Sequence, residues 1–179
     1  FPTRRSSDLV TGNTTVGTAN PAARVNLTIA NGTAVAAHVT ELNVGFNAAG
    51  NGKVTGNLTV TSGASLDASN VENLSIGRET GAANFETSTA DGSLTLGSNS
   101  TITLGSAAAL ATLNIGWSQN SNGAGGARGG ATGLLDTTQG SFIAELSTLA
   151  IGRTGNFGTA DGTFIMGSGA SVNADRKSV

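Results

Sequence analysis

Few side chains in this 179-residue chain could do chemistry. His38 is the single histidine, which excludes a histidine-ligated metal cluster and obliges any Ser–His–Asp triad to use it. The stretch Ala36-Ala37-His38-Val39 reads as a strand end with no nucleophile elbow beside it. The absence of cysteine excludes a disulfide framework and Cys-ligated zinc or iron–sulfur sites. Gly125-Gly126-Ala127-Arg128-Gly129-Gly130 has neither the aspartate of a calcium-binding repeat nor the Gly-Lys-(Ser/Thr) of a phosphate loop. Two polar pairs do recur. Arg78 and Arg153 each follow a Leu-x-Ile-Gly, and Asp91 and Asp161 each sit in Thr-Ala-Asp-Gly. They could line a charged groove for an anionic or sugar ligand. Asp91 and Asp161 could also act as the paired carboxylates of a glycosidase, which need to lie about 5–10 Å apart. The plainer reading is structural: Asp-Gly makes a turn, and each arginine pairs with a nearby carboxylate such as Glu79. The sequence favours this plainer reading, with no catalytic, cofactor-binding or metal site and no cofactor.

Composition points the same way. Gly 27, Thr 25, Ser 18 and Asn 17 together make up nearly half of the chain, and charged residues are only 11%. Such residues are poor helix formers, which argues against a long helical bundle. A net charge of −2 with 37% apolar residues argues against charge-driven disorder. A pI near 5.2 argues against a basic nucleic-acid binder. No apolar run approaches the roughly 20 residues that span a bilayer.

The elements that would position these residues come from an internal repeat. Leu42-Asn43-Val44-Gly45, Leu74-Ser75-Ile76-Gly77, Leu113-Asn114-Ile115-Gly116 and Leu149-Ala150-Ile151-Gly152 share one pattern, with leucines 32, 39 and 36 residues apart. Thr14-Thr15-Val16-Gly17 is a degenerate copy. A second apolar alternation follows each anchor, as in Leu58-Thr59-Val60 and Leu94-Thr95-Leu96. A third follows that one, as in Ser65-Leu66-Asp67 and Thr101-Ile102-Thr103. Period-two runs separated by Gly, Asn, Ser and Asp predict three short strands per copy. One copy cannot bury its apolar face alone, whereas stacked copies bury Leu on Leu and Ile on Ile. The expectation is an all-β, parallel β-solenoid (β-helix) of about five coils with three short strands per coil. Between the first and second strands the copies diverge, most of all over residues 117–132, and these loops are the expected contact surface. Thr28, Thr59 and Thr95 align as an outward column, but Leu135 and Ile165 break it, which argues against an ice-binding face.

The two ends differ from the body. Residues 1–9 and 175–179 supply four of the nine basic residues. The coding sequences of the two ends can be written as reverse complements of one another, and both resemble translated sequencing adapter. They are set aside, which leaves residues 10–174 as one repeat domain, a fragment of a longer protein continuous with further repeats.

The phrases Leu-x-Ile-Gly-Arg, Gly-Ser-Leu-Thr-Leu-Gly-Ser and Gly-Ala-Ser-Val-Asn-Ala resemble the passenger repeats of bacterial autotransporters and related β-strand repeat adhesins, from about residue 12 to 174. The resemblance implies a secreted or cell-surface location, associated with the outer membrane, without cofactor or catalysis. With it comes the expected function: a structural and adhesive segment whose loops contact glycans or host and abiotic surfaces, with no nucleic-acid partner. The alternative is a fragment of a carbohydrate-active, polysaccharide-cleaving β-helix enzyme.

Overall fold

The computed structural model describes residues 14–16, 22–30, 32–35, 40–48, 52–80, 88–119, 129–155 and 158–174. His38 and most of the 117–132 insertion lie outside the described residues, as do both excluded ends. All regular structure among the described residues is β. In chain order the strands are β1 (Thr14–Val16), β2 (Ala22–Ile29), β3 (Thr33–Val35), β4 (Glu41–Asn47) and β5 (Lys53–Val60). They continue with β6 (Ser65–Ala68), β7 (Asn73–Glu79), β8 (Thr89–Leu96), β9 (Thr101–Leu104) and β10 (Ala111–Ser118). The last four are β11 (Gly130–Asp136), β12 (Ser141–Thr154), β13 (Thr159–Ile165) and β14 (Gly169–Ala174).

The architecture corrects the expected solenoid of three short strands per coil. The strands form two parallel sheets, layered as a pair. One contains β1-β4-β7-β10-β12-β9-β6-β3, with β14 also paired to β12, and the other contains β13-β11-β8-β5-β2. The cause is visible in β12. Its first half pairs with β9 and β14, its second half with β10, so the first and third strands of a repeat belong to one sheet. Residues 141–154 contain no glycine or proline before Gly152, so nothing breaks the extended backbone between the two halves. One extra residue is absorbed where the register shifts from Ala111↔Leu146 to Thr112↔Thr148, leaving Ser147 as a bulge whose hydroxyl donates to the Ala111 carbonyl at 3.2 Å.

Like residues stand beside like along each ladder. Leu42, Leu74, Leu113 and Leu149 form one file, and Val44, Ile76, Ile115 and Ile151 the next. In the five-stranded sheet Leu27, Leu58, Leu94, Leu135 and Phe164 form a third. These files fill the space between the layers, where Leu58, Leu74, Ile76, Leu94, Leu113, Ile115, Leu135 and Phe142 are fully buried. Each such aliphatic side chain removed from water contributes roughly 1.5–3 kcal/mol. Phe142 and Phe164 close the core edge to face, with centroids 5.9 Å apart. On the outer face of the five-stranded sheet the files are mostly polar, with Leu134 and Ile165 as apolar members. Ser93 donates to Asn57 at 2.6 Å, and the hydroxyls of Thr59 and Thr95 lie 3.4 Å apart. The column begun by Thr28, Thr59 and Thr95 continues into Asp136 and Ile165, whereas Leu135, expected to break it, is buried beside Leu94.

The repeated Leu-x-Ile-Gly has a packing cause. Gly45, Gly77, Gly116 and Gly152 all have φ between +65° and +71°, the left-handed region where a side chain is unfavourable. A Cβ on Gly45 would overlap the Asp91 carbonyl, on Gly77 the Thr132 carbonyl, and on Gly116 the Asp161 carbonyl. Across this seam the facing glycines, Gly92, Gly133 and Gly162, are equally crowded. The two sheets therefore touch backbone to backbone there. The Asp-Gly pairs are part of that contact and lie inside β8 and β13, so they are not turns.

Candidate functional site

A period-two strand should send residues 74, 76 and 78 to one face. The left-handed glycine at 77 breaks that alternation: Ile76 is buried, Arg78 is turned outward, and Glu79 is buried again. The same step occurs in β4 and β10. The residues after the four corner glycines, Phe46, Arg78, Trp117 and Arg153, are thereby brought into one file on the outside of the nine-stranded sheet.

This file alternates aromatic ring and guanidinium. The Arg78 guanidinium carbon lies 5.1 Å from the Phe46 ring centroid and 4.6 Å from that of Trp117. On the far side of Trp117, Arg153 stacks at 5.1 Å. The spacing matches the roughly 4.8 Å between strands, so the register delivers cation–π stacking, worth about 0.5–1 kcal/mol per contact at partly exposed positions. Arg78 Nη1 also donates to Glu41 Oε2 at 3.2 Å and to Asn43 Oδ1 at 3.4 Å. Asn43 in turn donates to Glu41. Beneath the file, Asn43, Ser75 and Asn114 are buried, and Asn114 Nδ2 donates to Ser75 Oγ at 3.5 Å. Among the described residues, the buried atoms Arg78 Nε and Asn114 Oδ1 have no hydrogen-bond partner.

The arginines expected from the sequence thus come together, but through Trp117 between them. The carboxylate paired with Arg78 is Glu41, on the neighbouring strand, and not the adjacent Glu79. Neighbouring residues in this segment face opposite ways, and Glu79 lies between the layers. There its carboxylate accepts from Ser88 Oγ at 3.1 Å and Ser118 Oγ at 3.0 Å. The file could have been found by aligning the residue after each corner glycine, which reads Phe, Arg, Trp, Arg.

Asp91 and Asp161 occupy a different sheet. They flank Thr132 in register, so two strand spacings, roughly 10 Å, separate their backbones. Asp91 forms a surface ion pair with Lys53. Asp136, the last residue of β11, accepts from the backbone N–H and the hydroxyl of Thr138 at 2.9 and 2.7 Å. These bonds, the backbone one first, hold its carboxyl below the usual aspartate value of 3.8. Among the described residues there is no cluster of three or more His, Cys, Asp or Glu that could hold a metal ion, and no helix long and apolar enough to cross a membrane. No family model, curated protein or solved structure matches the chain.

Proposed function

We propose that this chain is a non-catalytic structural and adhesive repeat segment of a secreted or cell-surface protein. It acts as a stiff spacer whose outer files make weak contacts, added together over repeats, with glycans or other surfaces. The observation that carries this reading is the four-membered file Phe46–Arg78–Trp117–Arg153. It repeats one element of surface chemistry at strand spacing, which suits multivalent contact better than a single concave site. The engagement of the carboxylates adds support: Glu41 holds Arg78, Glu79 is enclosed by two serines, and Asp91 is paired with Lys53.

The test is adhesion of the purified chain to glycan-coated and bare surfaces, measured by acoustic or optical biosensor. The wild-type chain should bind multivalent coatings and lose binding in Trp117→Ala with Arg153→Ala, while free monosaccharides compete poorly. Polysaccharide cleavage by the parent that vanishes in Asp91→Asn with Asp161→Asn would replace this reading with the enzymatic one.

A further inference from the structure

We propose that Asn99 is an acceptor site for an N-linked glycan, presented by the folded chain at the corner between β8 and β9.

The sequence holds Asn-x-(Ser/Thr) at Asn13, Asn26, Asn31, Asn57, Asn73 and Asn99. Such a triplet accepts a glycan only where a transferase can reach both the asparagine amide and the hydroxyl two residues on. The fold separates the described triplets by that criterion. Asn57 lies inside β5, flanked by β2 and β8, and its Oδ1 accepts from Ser93 Oγ at 2.6 Å. The triplet at Asn73 has its hydroxyl on Ser75, which is 1% exposed. Those at Asn13, Asn26 and Asn31 lie outside the described side chains.

Asn99-Ser100-Thr101 meets the criterion without unfolding. Asn99 is exposed, Ser100 is buried, and Thr101 is half-buried on the outer side of β9, whose next residue Ile102 points into the core. The amide and the hydroxyl therefore both reach solvent, while the middle residue anchors the turn. Ser100 donates to the Gly97 carbonyl twice, from Oγ at 2.8 Å and from its backbone N–H at 3.1 Å. Among the described residues no hydrogen bond occupies the Asn99 amide.

The corner also has room. Asn99 has φ of +57°, and one repeat earlier Gly63 stands at the same step with φ of +72°, since Ser65 and Thr101 are register partners. A Cβ built on Gly63 meets nothing within 4 Å. Glycine suits this backbone best and asparagine tolerates it, so asparagine here adds an amide that the turn does not need. Nor is the corner an end of the stack. The Gly63 N–H donates to the Ser98 carbonyl on one side, and the Ser141 N–H donates to the Ser100 carbonyl on the other. Further repeats at either end would leave it uncovered.

The reaction is a substitution at the anomeric carbon of an activated donor, a polyprenyl-pyrophosphate-linked oligosaccharide. The Asn99 amide nitrogen bonds to that carbon, the bond from the carbon to the pyrophosphate oxygen breaks, and the amide proton passes to a base of the transferase.

The test incubates the purified, folded chain with a single-subunit oligosaccharyltransferase and this donor, and reads intact mass followed by peptide mapping. One glycan should be added, on the peptide containing Asn99. Asn99→Gly, which keeps the left-handed backbone, should lose it, and Thr101→Val should lose most of it, both with an unchanged circular dichroism melt. Asn57→Gln should leave the added mass in place. An unmodified folded chain overturns the proposal, most sharply where the urea-unfolded chain is modified at Asn99 by the same enzyme. A glycan that survives Asn99→Gly, or maps to another asparagine, overturns it as well.

Discussion

At the residue scale the corner glycines separate two effects that are usually entangled. Gly63 and Gly77 have nearly the same backbone, φ of +72° and +68°. A Cβ on Gly63 meets nothing within 4 Å, whereas on Gly77 it overlaps the Thr132 carbonyl. Gly63→Ala should therefore cost only the left-handed penalty, about 1 kcal/mol. Gly77→Ala carries the same penalty and must also push the sheets apart, so it should cost about 3 kcal/mol or more. Chemical denaturation of both variants measures the difference, and equal losses would mean that the seam is not as tight as described. Asp136 offers a second check. Its folded pKa is depressed, so its contribution to stability is fully present above the unfolded aspartate value and is lost as pH falls through the folded one. A carboxyl NMR titration should place its midpoint below 3.8, and Thr138→Val, which removes the hydroxyl donor, should move that midpoint upward while leaving the backbone bond.

At the scale of the element, the position of a strand in the stack decides what a substitution does. Ile115 and Ile151 are register partners with the same side chain. Ile115→Asp puts a charge between the layers and should unfold the chain, a loss of about 4 kcal/mol or more. Ile151→Asp should cost below about 1 kcal/mol, because that side chain is already half in water. Thermal melts followed by circular dichroism distinguish the two, and comparable destabilisation would contradict the layer order. The strands themselves were legible in the sequence. Leu-x-Ile-Gly gave the files because identical chemistry at fixed intervals reports stacking, and Gly marked the corner because its φ admits little else. The merging of first and third strands into one sheet was not read. Its signal was an absence, the lack of any Gly or Pro between Ser141 and Ile151, and a missing breaker is easier to overlook than a present one. The insertion is a related case. The divergent loop of residues 117–132 ends inside the fold: Gly130 opens β11, and the Gly129 carbonyl accepts from the Thr159 N–H at 2.9 Å. A tolerated deletion must stop at residue 128. The stacked file was only half legible, since the recurrence of arginine was plain but its ring partners had no shared residue type to align.

For the whole molecule, stability should run as a gradient along the stack and not along the sequence. A repeat array gains free energy mainly from nearest-neighbour contacts, so layers held on both sides outlast those held on one. Among the described residues β8 lies between β5 and β11, and β10 lies between β7 and β12, whereas β13 and β14 are each held on one side. The decisive segment is β12. Residues 141–146 sit between β9 and β14, while residues 149–154 have, among the described strands, β10 as their one neighbour, although a single strand contains both. Hydrogen exchange read by mass spectrometry should therefore find β8 and β10 slowest, residues 141–146 intermediate, and residues 149–154 with β13 and β14 fastest. Both halves belong to one unbroken strand, so a change of protection between residues 141–146 and residues 149–151 follows the number of neighbours each has, and uniform protection there would contradict the two-sheet topology itself.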